Sequence, residues 1–305
     1  MSRGQRHSGL AELAQKLGIE VVEVVDESAL SQAITRVVQD PPDRLIVCGG
    51  DGTVQALITG LADLNDEDRP EMLVLGGGRT NYTARDLGTH GRPERLLSRV
   101  SDPTSRWQQS VRHSLILRQK GQPDRHGFFA AGASLDDVIR DCHHYRKRPG
   151  PSFSRWLRNG HASSAWRVGQ LGLGRLVGRY SFPKHPMTMS AEGLGTLSGD
   201  LRLVLMTTLE HSGHPVNPYA QRGEGALRLT GTRADAARFW LRLPRLLCGR
   251  YHRAMTQEQG YLSGRCSRAT FKGLDSVCLD GQEHDYDPQL ELEVIAGPTF
   301  RFFHP

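Results

Sequence analysis

Leu45-Ile46-Val47-Cys48-Gly49-Gly50-Asp51-Gly52-Thr53 decides the fold. Four apolar residues in a row make a short strand buried on both faces, and the glycines that follow end it in a tight turn. Beyond the turn, Val54, Leu57, Ile58 and Leu61 recur at i, i+3, i+4 and i+7, so a helix starts just after Thr53. Strand, glycine turn and helix N-terminus bring unpaired backbone amides and the positive end of a helix dipole to one point, which suits a phosphate. The same glycines also serve units that only need to turn tightly, so the turn alone leaves both readings open.

The surrounding hundred residues repeat this grammar. Leu10, Leu13 and Leu17 share a helical face, Val21, Val22, Val24 and Val25 form an apolar run expected to be a strand, and Leu30, Ile34, Val37 and Val38 return to helical spacing before Pro41 and Pro42. About 25 residues after the first turn a second strand, Met72 to Leu75, runs into Gly76, Gly77 and Gly78, with a helix expected from Asn81. Beyond residue 110 the pattern changes to strand-like runs: Leu115 to Leu117, Phe128 and Phe129, Met187 to Met189, Leu201 to Leu205, Val277 to Leu279 and Leu290 to Val294. One helix interrupts them, with Thr232 as its expected cap, Asp235 in its first turn, Phe239, Trp240 and Leu243 as its apolar face, and Pro244 kinking or ending it. The fold class is therefore α/β, a three-layer nucleotide-binding domain over residues 1–110, followed by a β-rich sandwich domain over 111–290, with 291–305 packing back on the first.

Composition narrows the class. The 305 residues are 37% hydrophobic and 24% charged, ordinary for a globular chain that needs no staples. Residues 1–10 lack the apolar core of a secretory signal, and no apolar run approaches the roughly 18 residues of a membrane span. Cys48, Cys142, Cys248, Cys266 and Cys278 include no Cys-x-x-Cys pair, which argues against a zinc site or disulfide framework and for a cytoplasmic setting. The net charge of +6 concentrates between Arg140 and Lys184, where ten basic residues face one acid, Asp141. Trp156 and Trp166 among those arginines suit an interfacial helix on anionic lipid, and equally a solvated basic face. His143, His144, His211 and His214 lack carboxylate or cysteine partners at ligand spacing and read as surface histidines. Nucleic-acid binding has no reading motif behind it.

No Gly-x-x-x-x-Gly-Lys-Ser/Thr loop and no protein-kinase motif set occurs. The glycine turn with its following helix, and Arg79, Thr80, Asn81 with Ala84, Arg85, Asp86, Leu87, Gly88, instead resemble the diacylglycerol kinase catalytic domain family, which includes bacterial lipid kinases and sphingosine kinases. Gly132 to Asp136 resembles a Gly-x-Gly-x-Asp element of that family, and Leu279, Asp280, Gly281 resemble its Asp-Gly-Glu element. The resemblance implies ATP and Mg2+ as cofactors and a lipid hydroxyl as acceptor, in diacylglycerol or a related lipid. It implies a nucleotide site of Gly49, Gly50, Asp51, Gly52, Thr53, Gly77, Gly78, Thr80 and Asn81, and Asp280 as general base with Glu283 beside it. It further implies a metal site at Glu224, a lipid substrate met at the inner membrane face by a peripheral cytoplasmic protein, and room for a homodimer. Read without the family, Asp280-Gly281 is a hairpin turn.

The chain departs from the family at Ser134, which stands for the second glycine of Gly-x-Gly-x-Asp, and at four further places. Gln282 stands for the glutamate of Asp-Gly-Glu, and although Glu283 follows, a one-residue shift along a strand reverses the face. Gln55 and Ala56 replace the usual Asn and Glu, and Arg228 stands where a second metal-binding carboxylate is expected. Where the family has a strand and an Asn-Pro-x-Ser-Gly loop, this chain has Met1, Ser2, Arg3, Gly4, so the core is expected to lack a strand or the native chain to start upstream. These departures keep a catalytically inactive lipid- or nucleotide-binding relative in view, beside an NAD kinase-type enzyme that shares the glycine turn.

Overall fold

The computed structural model describes residues 3–78, 81–89, 91–102, 104–137, 140, 184–210 and 216–304. The first unit contains α1 (Arg3–Lys16), α2 (Glu27–Gln39), β1 (Arg44–Gly49), α3 (Asp51–Leu61), β2 (Glu71–Gly76), α4 (Tyr82–Asp86) and α5 (Pro93–Val100). Strands β1 and β2 pair in parallel from Arg44↔Glu71 to Gly49↔Gly76. Apolar side chains leave this sheet on both sides. Val47, Met72 and Val74 pack with Val54, Ile58 and Leu61 of α3, while Leu73 and Leu75 pack with Leu10 and Ala14 of α1 and Leu96 and Leu97 of α5. Helices thus cover both faces, as a parallel sheet requires, and the three layers expected from the sequence are present.

The β-rich unit follows with β3 (Gln108–Gln119), β4 (Arg125–Gly127), β5 (Phe129–Gly132), β6 (Pro186–Ala191), β7 (Gly195–Thr207), β8 (Leu227–Arg233), α6 (Phe239–Leu247), β9 (Tyr261–Cys266), β10 (Arg268–Lys272), β11 (Ser276–Leu279), β12 (Gln282–Asp285) and β13 (Leu292–His304). Two 13-residue strands join the layers. The first part of β7 pairs with β6 and the remainder with β5 and β8. Strand β13 pairs with β10 near its start and, at Phe302↔Met72, with β2. Leu292 and Val294 are fully buried while Glu293 between them is half-buried, the alternation the sequence shows. The β-rich core collects Leu115, Met189, Leu201, Val204, Leu229 and Phe271.

Two local expectations are corrected. Val21 to Val25 form no strand, and Val22, Val24 and Val25 are 51%, 42% and 83% exposed. This segment lines a cavity of about 980 Å3 together with Ile46 and Cys48 of β1 and makes no ladder with β1, so β propensity alone does not hold it as a strand. Thr232 does not cap a helix. It lies fully buried in β8, paired with Tyr261 of β9 and Leu203 of β7, because pairing on both sides outweighs its capping preference. The helix starts later, at Phe239, and keeps Pro244 inside it. Among the described residues no helix is long and apolar enough to cross a membrane.

Candidate nucleotide site and the Asp280 hairpin

Because β1 and β2 are parallel and in register, Gly49 and Gly76 finish at the same level, and the two turns that follow lie side by side. Gly77 N donates to Gly49 O at 2.8 Å. The backbones approach so closely that no side chain fits between them. A Cβ on Gly78 would stand 2.5 Å from Gly50 Cα, and one on Gly77 would stand 3.2 Å from Gly49 Cα. Glycine is required here by proximity. Gly50 caps α3 with extended backbone and its carbonyl takes Thr53 N at 3.0 Å, so the amides of Asp51 and Gly52 have no partner within the helix and open toward the turn.

The named site residues play distinct parts in this geometry. Asp51 turns its Oδ1 to Thr83 N at 2.9 Å, clamping the start of α4 to the start of α3. Thr53 packs beneath Gly49, its Cβ 2.8 Å from where a Gly49 Cβ would be. Asn81 adopts the left-handed conformation, φ 48°, and folds its amide back on the second loop. Its Oδ1 accepts from Gly78 N at 2.8 Å and its Nδ2 donates to Gly78 O at 3.2 Å. Asn81 therefore shapes the loop with its side chain. Thr80 lies outside the described residues, as do Asp141 to Pro183 of the basic stretch, including Cys142, His143 and His144, and also His211 and His214.

Beneath the loops, α4 is held by a buried ion pair. Arg112 Nε meets Asp86 Oδ2 at 3.2 Å, the two side chains 9% and 0% exposed, and Glu210 N also donates to Asp86. Arg228, buried, spends Nη1 on Glu210 O at 2.8 Å, so the arginine that replaces an expected carboxylate tethers the segment that follows β7. Gln55 is likewise structural. Its Nε2 donates to His126 O at 3.0 Å, joining α3 to β4.

Asp280 and Gly281 connect β11 to β12 as a two-residue turn with φ 46° and 84°, the mirror-image turn an Asp-Gly pair favours. Its side chain nonetheless points inward. Asp280 Oδ2 accepts from Phe128 N at 2.7 Å and Oδ1 from Phe129 N at 2.9 Å, while Asp280 N donates to Phe129 O at 2.8 Å. Burial pushes its carboxyl up to about 8, against the lowering by the Phe128 amide bond; the Asp51 charge raises it further and the Phe129 amide bond opposes. The hairpin tip reaches the first glycine turn, since Gln282 Nε2 lies 2.5 Å from the point a Gly52 Cβ would occupy. One residue on, Glu283 lies instead beside Arg140, 3.7 Å away, in a cluster with Asp136 and Ser276. The structure thus brings together the two glycine loops, Asp51, Asp280 and Gln282, and does not bring Glu283 to them. Glu224 is exposed on the turn before β8.

Tyr82 belongs to the same place, although no sequence motif singles it out. Its ring lies 5.1 Å from that of Phe129, and its hydroxyl is held far above the ordinary range by burial first, then by Asp86, Asp280 and Asp51, with Arg228 opposing. The one signal in the sequence is its place directly after Asn81, at the start of α4.

Two glycine loops set side by side under an Asp-Gly hairpin, carried on a three-layer α/β unit and a β-rich unit, make an NAD kinase-like architecture. In agreement, residues 3–110 match the family model of the diacylglycerol kinase catalytic domain, which upholds the resemblance read from the two glycine loops and marks the N-terminal unit as kinase-like. No curated protein matches the chain. Among solved structures, a diacylglycerol kinase from Bacillus anthracis str. Sterne superimposes with a TM-score of 0.58 at 14% identity, covering 94% of this chain and 85% of that one. A chain from the same strain, provisionally described as a diacylglycerol kinase, gives 0.63 at 16% identity over 94% and 86% of the two chains. At such identities the likeness is one of fold.

Proposed function

We propose that the chain is an ATP-dependent lipid kinase, with the β- and γ-phosphates of ATP on the paired glycine loops and Asp280 as general base. The observation that carries this reading is the pair of glycine loops beside the N-terminus of α3, packed so closely that a Cβ on Gly78 would stand 2.5 Å from Gly50 Cα. In the reaction the Asp280 carboxylate takes the proton of a lipid hydroxyl and the hydroxyl oxygen attacks the γ-phosphorus. The bond from that phosphorus to the β-bridging oxygen breaks, and ADP leaves. A carboxyl titrating near 8 is poised close to working pH for this role.

Magnesium is the cofactor that the family resemblance adds, and the described residues do not supply its donors. No group of three or more His, Cys, Asp or Glu side chains is assembled among them. Asp280 has both oxygens on backbone amides, Gln282 is an amide, and Arg228 is a cation. No step is therefore assigned to a protein-held metal. The acceptor is taken to be diacylglycerol or a related membrane lipid met at a membrane surface, in a protein of domains 1–110 and 111–290 able to form a homodimer.

A second reading, a nucleotide-binding relative without catalysis, is favoured by the same donor deficit. Incubating the protein with labelled ATP and either mixed lipid extract or nicotinamide dinucleotide separates the readings. Label in lipid is the expected result. Label in dinucleotide refutes the lipid assignment in favour of the NAD kinase reading, and ATP binding without transfer leaves the inactive relative.

A further inference from the structure

The family resemblance puts a glutamate after Asp280 and Gly281 at the tip of the β11–β12 hairpin, and the structure places an uncharged amide, Gln282, there. Four observations converge on this tip. Gln282 Nε2 lies against Gly52, in the first turn of α3 where helix amides open toward a bound anion. Asp51, the carboxylate on that turn, directs Oδ1 to Thr83 N. Asp280 directs both oxygens to Phe128 N and Phe129 N. Glu283, the nearest acid along the strand, lies with Arg140, on the other face of β12 because adjacent strand residues alternate.

From this we infer that the glycine cradle binds the nucleotide phosphates as a free anion, through backbone amides and the Gln282 carboxamide, without a divalent cation held by protein carboxylates. The inference rests on the phosphate-cradle reading above and concerns how that cradle meets charge. An amide donor gains a hydrogen bond to a phosphate oxygen whether or not a cation is present. A carboxylate at the same place repels the phosphate unless a cation lies between them. Gln282 is exposed and sits at the hairpin end, so exchanging it for glutamate changes charge at the cradle with little effect on the core.

Calorimetric titration of the full chain and of Gln282→Glu with ATP, each in excess Mg2+ and in EDTA, tests the inference. The unaltered chain is expected to bind ATP with affinities within about threefold of each other in the two conditions. Gln282→Glu is expected to lose at least about tenfold in EDTA and to recover in Mg2+. Dependence on Mg2+ in the unaltered chain overturns the inference while leaving the cradle in place. Equal binding by Gln282→Glu in both conditions also overturns it, because Gln282 then does not face the phosphates. Failure of the unaltered chain to bind ATP in either condition overturns the cradle reading itself, and circular dichroism of both proteins confirms that each is folded.

Discussion

Gly78→Ala tests the paired loops most directly. The new Cβ would stand 2.5 Å from Gly50 Cα and 3.0 Å from Asn81 Oδ1, whereas carbon atoms at rest lie about 3.5–4.0 Å apart. Relief requires the loops to part by roughly 1 Å. Neither partner can swing aside, because the obstruction is backbone on one side and a hydrogen-bonded Asn81 side chain on the other. Overpacking of this kind costs about 1–3 kcal/mol, which leaves the protein folded. Misplacing phosphate-facing amides by that distance is expected to weaken ATP binding by about 100-fold. Gly50→Ala probes the same contact from the opposite side, with its Cβ 3.3 Å from Gly78 Cα, and needs only a few tenths of an ångström, so a loss of no more than about fivefold is expected. Gly52→Ala meets only the far end of the Gln282 side chain, so it should leave thermal stability unchanged while it displaces the Gln282 carboxamide and weakens ATP binding. Titration calorimetry with ATP, alongside thermal denaturation, measures all three. Wild-type affinity in folded Gly78→Ala, or equal losses in Gly78→Ala and Gly50→Ala, would refute the reasoning.

Asp280→Asn replaces an acceptor oxygen with an amide that faces the Phe128 or Phe129 N–H, leaving a buried donor unpaired, and should cost about 1–3 kcal/mol in urea denaturation. Because the folded carboxyl is raised to about 8, its contribution to stability is fully present below the ordinary carboxylate range and is lost as pH rises through about 8. Between about pH 5 and 7.5 the unaltered chain should therefore lose stability faster than Asp280→Asn, by up to about 1.4 kcal/mol per pH unit; parallel curves would contradict the shift. Arg112→Met removes the cation beside Asp86, whose side chain is 0% exposed, and is expected to lose about 3–5 kcal/mol in the same assay, a loss under about 1 kcal/mol counting against a buried pair. Gln55→Ala should cost only about 1 kcal/mol, because Thr59 Oγ1 also donates to His126 O at 3.0 Å, and Gln55→Ala with Thr59→Val should cost more than the two single changes together.

Much of the fold is legible in the sequence because its signals are local. Apolar runs ending in glycine mark β1 and β2, and spacing marks α1, α2 and α3, since these depend on which residues follow one another. Val21 to Val25 and Thr232 fail for one common reason: pattern reports what a segment suits, whereas a strand exists only where a neighbour pairs with it. The first has a cavity beside it and the second has two partner strands. The site divides in the same way. The cradle glycines are readable from their density, but the inward turn of Asn81, the Phe128 and Phe129 amides on Asp280 and the contact of Gln282 with Gly52 join positions far apart along the chain or depend on a loop's exact path, and no local pattern encodes them.

Asp280 shows why the two sequence readings of Asp-Gly need not compete. The left-handed backbone that lets Asp280 reverse the chain also places its carboxyl at the β4–β5 junction, near Asp51 and the glycine turn. Turn residue, latch and candidate base are one geometry, so loss of activity in Asp280→Asn cannot by itself distinguish a lost proton acceptor from a loosened hairpin. The pH profile can. A base with its proton held until about pH 8 makes kcat/KM for lipid phosphorylation rise through that pH. A residue acting only as a latch loosens the hairpin as it loses its proton, so kcat/KM stays flat or falls there. Flat or falling rates in a folded, ATP-binding protein would therefore remove Asp280 from the chemistry and leave it the latch that its two amide bonds already make it.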